Sequence, residues 1–267
     1  MTPGTLRFEQ TGRLARVTLR HPHRFNAMTR LMWRELRAAF EHVQLSSDIR
    51  CVVITGEGSH FCSGGDISEY AAFRFQETSL REFHEGDVWG GLQAMLNCDV
   101  PVVAQIAGNC MGAGVEIASC CDIRISAQSA RFGAPIAKLG FPMAPREAAL
   151  VAREVGATLA RQMLLEAALF GAQDLKAAGF LSRVVDDDAL DAEVQATALR
   201  VVALAPQAAR MNKQTIRALN IPPAGVSCGY THHKTVAISM PNPYAYADSA
   251  EHREGIQAFL DKREPAF

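Results

Sequence analysis

The chain has no apolar run approaching the ~18 residues that a membrane-spanning helix needs. Its first residues, Met1-Thr2-Pro3-Gly4, lack the charged-then-apolar pattern of an export signal. A cytoplasmic protein without membrane contact is expected. An excess of charge of one sign is also missing. The formal net charge over 267 residues is −1, which argues against nucleic acid or an anionic membrane as the main partner and makes any basic site for a phosphorylated ligand local.

Disulfide and zinc frameworks are lacking too. Seven cysteines, an odd number, are scattered along the chain; Cys120-Cys121 is adjacent, and Cys62, Cys98 and Cys110 have no CxxC spacing. The eight histidines form no ligand cluster. His21 and His23 flank a proline and read as solvated loop histidines ahead of metal ligands, His232-His233 fall in a loop or helix end, and neither pair has the carboxylate of a HExxH site. No metal and no permanently bound cofactor are expected. There is no GxSxG elbow to support a Ser-His-Asp acyl-enzyme. Gly108…Gly112-Ala113-Gly114 has neither the GxGxxG spacing nor the later acidic residue of a dinucleotide turn. Internal repeats and low-complexity segments are absent, although short strand-turn-helix units recur.

What is present is a globular composition, 48% hydrophobic and 21% charged, able to bury a core as one domain with a helical appendage. Leu6 to Gln10 and Leu14 to Leu19 alternate as strands about Thr11-Gly12, an opening hairpin. A helix is expected from about Thr29 to Gln44, with Leu31, Leu36, Ala39, Phe40 and Val43 on its apolar stripe. There follow strand Cys51 to Thr55, a helical stretch from Ile67 to about Asn97, strand Pro101 to Ala107, helix Ala113 to Cys120 and strand Asp122 to Ser126. From Ala144 onward alanine-rich helices dominate, broken at Gly156, Gly171, Gly179 and Pro206, with one strand near Arg183-Val184-Val185. The division expected is a core over 1–195 and a helical region over 196–267.

Two glycine-rich turns stand out: Phe61-Cys62-Ser63-Gly64-Gly65-Asp66 and Gly112-Ala113-Gly114-Val115-Glu116, each after a short β-branched strand and before a helix. Such turns offer free backbone N–H groups, and two aimed at one carbonyl oxygen would form an oxyanion hole. They also fit ordinary tight turns in which glycine supplies positive φ and close backbone passage.

The run from Val52-Val53-Ile54-Thr55-Gly56 into Phe61-Cys62-Ser63-Gly64-Gly65-Asp66 resembles the signature of the enoyl-CoA hydratase/isomerase (crotonase) superfamily. Phe25-Asn26-Ala27-Met28 is similar to its early Asn-Ala turn, Pro101 through Asp122 to its central strand, glycine turn and helix, and Glu254 through Arg263 to its C-terminal helix. The resemblance runs from about Leu6 to Phe267. It implies an α/β fold, a crotonase-like spiral of ββα units with a C-terminal helical trimerisation region, assembled as a homotrimer or a dimer of trimers. The apolar residues Ile256, Phe259 and Leu260 fit docking on another subunit or on the chain's own core.

By the same resemblance the substrate is an acyl-CoA, with coenzyme A present as part of the thioester. The backbone amides of Cys62 and Ala113 would hold its carbonyl oxygen, and Glu116 would carry a proton to or from carbon. Ala113 stands where the family usually has glycine. Side by side with these stand a nucleophilic reading of Cys62, its thiol lowered by a helix N-terminus, which is weaker than the backbone role with a variable side chain, and a plain reading of Glu116 as a first-turn complement to the helix dipole. Phe132-Gly133-Ala134-Pro135-Ile136 departs from the hydratases resembled, which carry a second glutamate after the proline. Hydration divides acid and base duties between two carboxylates, so a poor ordinary hydratase is expected; isomerisation, decarboxylation, thioester hydrolysis or acyl-CoA binding with weak chemistry stay open. Glu69, Asp87, Lys138 and Glu147 are the charges that loops would bring nearby, or else are solvated.

For coenzyme A the resemblance points to Arg24, Asn26, Ala27, Asp66, Ile67, Phe259 and Lys262, against plain readings of Arg24 as a surface charge, Asp66 as an N-cap and Phe259 as core. The acyl pocket is expected from Gly64, Gly112, Ile136, Phe141 and Met143 and from the variable stretch between Glu69 and Val88.

Overall fold

The computed structural model describes residues 4–219 and 242–267; the expectations for Met1 to Pro3 and for His232-His233 lie outside them. The chain opens with the hairpin β1 (Thr5–Thr11) and β2 (Leu14–Arg20), closed at Gly12 with φ 57°. Helix α1 (Arg30–Leu45) follows, its N-terminus capped by the Thr29 hydroxyl accepting from the Met32 amide. Strand β3 (Cys51–Gly56) leads through the first glycine turn to a 3₁₀ segment at Ile67–Ala72. Next come α2 (Glu77–Glu82), a π-helical turn at Phe83–Val88 and α3 (Trp89–Asn97).

Two strand pairs then each precede a helix: β4 (Val102–Ile106) and β5 (Asn109–Met111) before α4 (Ala113–Ser119), and β6 (Ile123–Ala127) and β7 (Arg131–Gly133) before α5 (Pro145–Val155). The remaining elements are α6 (Ala157–Leu165), β8 (Leu169–Gly171), α7 (Ala172–Ala177), β9 (Arg183–Val185), α8 (Leu190–Val202), α9 (Pro206–Leu219) and α10 (Ala250–Asp261).

The main sheet has the order β1-β2-β3-β4-β6-β9 and is parallel apart from the opening hairpin. A smaller sheet, β5-β7-β8, stands beside it. Parallel strands covered on both faces read as continuous apolar runs, and Cys51 through Ile54 are all fully buried. Alternation assigns Val52 and Ile54 to one face, with Met32, Leu36 and Leu92, and Cys51 and Val53 to the other, with Leu190, Val194 and Ala198 of α8. The division expected at 195/196 thus falls inside α8, a helix that packs on the sheet along its length.

One expected element is different in kind. The stretch from Ile67 to Asn97 is a 3₁₀ segment, a short helix, a π turn and a second helix. The π turn is tied down by Asp87, whose carboxylate receives Arg30 Nη2 at 2.6 Å and Arg34 Nε at 2.7 Å from α1. The three-residue strands β5, β7 and β8 have no counterpart in the sequence reading, because a run that short carries no periodicity.

Candidate active site

The two glycine turns are bound directly to each other. The Met111 amide donates to Cys62 O at 2.8 Å, the Cys62 amide to Asn109 O at 2.9 Å, and Cys62 bridges Cys110. Gly114 is required by this approach, since a Cβ there would meet Cys62 O at 2.7 Å. Beside the paired turns is a cavity of about 180 Å³, lined by both and by the 67–74 segment, the π turn, residues 135–143 and the start of α5.

One expectation is overturned by this pairing. The Cys62 amide is occupied by Asn109 O, so it is not free for a ligand, and the Cys62 thiol is fully buried and pushed up to about 12 by that burial. The other amides of the turn are also engaged: Phe61 with Ala107 O, Ser63 with Phe25 O, Asp66 with Met28 O, and Gly64 with the Cys62 sulfur. Gly65 is left as the amide of this turn with no recorded partner among the described residues, and it lines the cavity. Its lack of a side chain is enforced, because a Cβ would lie 2.1 Å from Tyr70 Oη. In the second turn Gly112 donates to Gly133 O, and Ala113, the first residue of α4, has no amide partner among the described residues and lines the cavity.

Glu116 also lines the cavity, one turn into a helix whose seven residues are all buried. The helix has no polar face, so its glutamate faces only the cavity, and burial, reinforced by the charge of Glu147, pushes the Glu116 carboxyl well above the usual carboxylate range.

Glu147, which the sequence offers as a charge brought near by a loop or else a solvated one, is a second buried carboxylate of the cavity. It is 3% exposed, lines the cavity, and accepts a hydrogen bond of 2.8 Å from His84 Nδ1. Arg74 Nη1 lies 3.4 Å from His84 Nε2; a guanidinium only donates, so Nε2 is the acceptor and the proton is on Nδ1, directed at Glu147. The signal was in the sequence: Glu147 precedes Leu150 and Val151 by three and four residues, which puts it on the buried face of α5. His84 had no such signal, since it is brought to the cavity by a π turn. Tyr70, Arg74 and Phe141 stack around the same wall, with the guanidinium 4.3 Å from the Tyr70 ring centre and 3.7 Å from that of Phe141. Burial pushes the Tyr70 hydroxyl up to about 12, so it remains a neutral donor.

Of the other expected residues, Gly64, Gly112, Ile136, Phe141, Met143 and Ile67 line the cavity. Asn26 does not. It is fully buried at φ 60°, its Nδ2 donates to Glu57 O and His60 O, and its Oδ1 accepts from the His21 amide, so its side chain is used up holding loops together. Asp66 caps the 3₁₀ segment by accepting from Ser68, and is likewise buried and structural. Ala27 is buried, and Arg24 is exposed, its carbonyl receiving Ser63 Oγ. Phe259 and Lys262 are exposed on and just after α10 and do not line the cavity. Glu69 accepts from the Arg30 amide at the start of α1, Asp87 is paired with arginines, and Lys138 is exposed; none of the three lines the cavity. Among the described residues no three His, Cys, Asp or Glu side chains gather as a metal site, and no helix is long and apolar enough to cross a membrane.

Strand pairs each followed by a helix, with paired glycine turns over a carboxylate-lined cavity, define an α/β enzyme of the crotonase fold. The chain belongs to the enoyl-CoA hydratase/isomerase family, whose description matches residues 9–267. It is similar to the probable enoyl-CoA hydratase of Rhodobacter capsulatus, 34% identical over 271 residues covering 100% of this chain and 99% of the relative. It is 31% identical to the probable enoyl-CoA hydratase echA8 of Mycobacterium tuberculosis over 268 residues, 100% of this chain and 99% of that one. The crystal structure of an enoyl-CoA hydratase/carnithine racemase from Magnetospirillum magneticum superposes with a TM-score of 0.90 at 37% identity, covering 100% of this chain and 96% of that chain.

Proposed function

We propose that this acyl-CoA enzyme stabilises a thioester enolate with the backbone amides of Gly65 and Ala113, and that Glu116 transfers the proton at the α-carbon. The observation that carries this reading is the convergence on one cavity of two amides unpaired among the described residues, from two turns in direct contact, with a buried glutamate in the helix that one of them begins. Each such donor, pre-aimed at developing charge where water is excluded, contributes about 10²–10³ in rate. A cavity near 180 Å³ is smaller than the ~300–1,000 Å³ of a typical ligand pocket. It therefore takes the reacting acyl end, while the nucleotide end lies outside. There Arg24, exposed beside Ser63, and Ile67 at the rim are the positions in this chain that suit it. Phe259 and Lys262 would join them from a neighbouring subunit of a homotrimer or hexamer.

Incubation of 3-butenoyl-CoA with the protein in D₂O, followed by mass spectrometry, tests the assignment. Deuterium uptake at the α-carbon or double-bond migration is expected with the native chain, and loss of both with Glu116→Gln. A native chain inert toward the bound ester, or an E116Q protein that exchanges as fast, would sink it.

A further inference from the structure

We propose that Glu147, held by His84, is the second proton-transferring carboxylate of the site, binding and deprotonating the water that adds to the β-carbon of a 2-enoyl thioester. His84 and Arg74 act as positioning residues. This deepens the reading above and rests on it.

Ile136 is an apolar side chain on the cavity wall and supplies no second acid-base group. The wall is nevertheless not short of one. Glu147 enters the same cavity from the first turn of α5, on a helix different from that of Glu116, and the charge of Glu147 is felt at Glu116. A buried carboxylate is costly unless hydrogen-bonded, and the bond Glu147 receives comes from a side chain that itself lines the cavity. The chain Arg74, His84, Glu147 is directional: the guanidinium donates to Nε2, Nδ1 donates to one carboxylate oxygen, Oε1. That leaves Oε2, which has no protein partner among the described residues, as the position for a water proton.

Burial and the neighbouring negative charge favour the protonated form of Glu116, which makes it the acid of the pair and Glu147 the base. As the water oxygen bonds to the β-carbon, its proton passes to Glu147 and the π pair moves to the α-carbon and thioester oxygen, held by the Gly65 and Ala113 amides. Glu116 then gives its proton to the α-carbon and the carbonyl re-forms. One water has been added across the double bond, Glu147 is left protonated and Glu116 ionised, and a proton moving from one to the other through solvent resets the site.

The test compares hydration of crotonyl-CoA with α-deuterium exchange of 3-butenoyl-CoA in the native chain, Glu147→Gln and Glu116→Gln. Glutamine is isosteric and still accepts from His84, so the cavity stays filled. The native chain is expected to hydrate crotonyl-CoA. E147Q is expected to lower hydration about 10²-fold more than it lowers exchange, the scale of one positioned acid-base group, while E116Q lowers both alike. At His84, asparagine, which keeps a donor near Nδ1, is expected to retain most hydration, and leucine to lose about tenfold or more of it. The proposal is overturned if the native chain exchanges but does not hydrate, or if E147Q depresses hydration and exchange in the same ratio, as a structural role would. Absence of exchange in the native chain instead removes the underlying reading.

Discussion

At the scale of single residues, the decisive fact is which amide of a glycine turn is spent. The Cys62 amide is bonded to Asn109 O and its thiol is buried, whereas the Gly65 amide has no protein partner among the described residues. Two substitutions separate them. Cys62→Ala removes a sulfur and leaves every backbone amide in place, so turnover is expected within about threefold of native, with a modest stability loss on the order of 1 kcal/mol. Gly65→Ala forces a methyl group against Tyr70 Oη. The tyrosine is packed against Phe73, Phe83 and Phe141 and has no slack except into the cavity, so kcat/KM for 3-butenoyl-CoA isomerisation is expected to fall about 10²-fold or more. Equal losses in the two variants would mean that the Cys62 side chain takes part in turnover. The sequence made the turn visible but not this distinction: glycine spacing says that amides are offered, while their consumption depends on β5, a three-residue strand that no pattern announces.

At the scale of elements, the site is the seam between two strand-turn-helix units. Gly114 lets α4 ride against Cys62 O, and Gly114→Ala is expected to spread the two turns, lowering kcat far more than it lowers thermal stability. Circular dichroism with steady-state kinetics checks that split; loss of the fold in parallel with activity would count against it. Asn26 is the second fastening, joining the loop after β2 to the loop after β3 through two hydrogen bonds, to Glu57 O and His60 O, while a third from the His21 amide closes its own loop. Asn26→Ala strands buried backbone groups that cost about 1–3 kcal/mol each when unpaired, so a loss of at least about 2 kcal/mol in urea unfolding is expected, at unchanged m-value.

The strand, turn and helix runs around this seam were legible because each is local and each follows a period. The π turn that delivers His84, and the meeting of His84 with Glu147 sixty-three positions away, were not. The first departs from every period, and the second is a tertiary contact. Glu147 lay between: its place on the apolar face of α5 was readable, but a charged residue at one buried position is ordinarily solvated or paired.

At the scale of the whole molecule, the site leaves a mark on stability. Glu116 titrates near 4.5 in the unfolded chain and well above that in the folded one. Between those two values the folded state binds more protons than the unfolded state, so stability falls as pH rises through that interval and is level below it. Asp99 has the opposite sense. Burial raises its pKa, but hydrogen bonds from Gln214, Arg217 and Gln44 prevail and hold it below its ordinary value, so its contribution is lost as pH falls. A single stability curve mixes the two. The difference between Glu116→Gln and the native chain isolates the first, because glutamine is neutral at every pH. E116Q is expected to match the native chain near pH 4 and to exceed it in melting temperature as pH rises above that. A difference that is flat with pH would mean that Glu116 is not held in a proton-retaining environment. A difference that grows in E116Q and shrinks when Glu147→Gln is added would tie the effect to the charge of Glu147. The carboxylate pair proposed to divide the proton work in the cavity would then be the same pair that makes the native enzyme less stable near neutral pH, a cost that folding bears because α4 has no polar face on which to put Glu116.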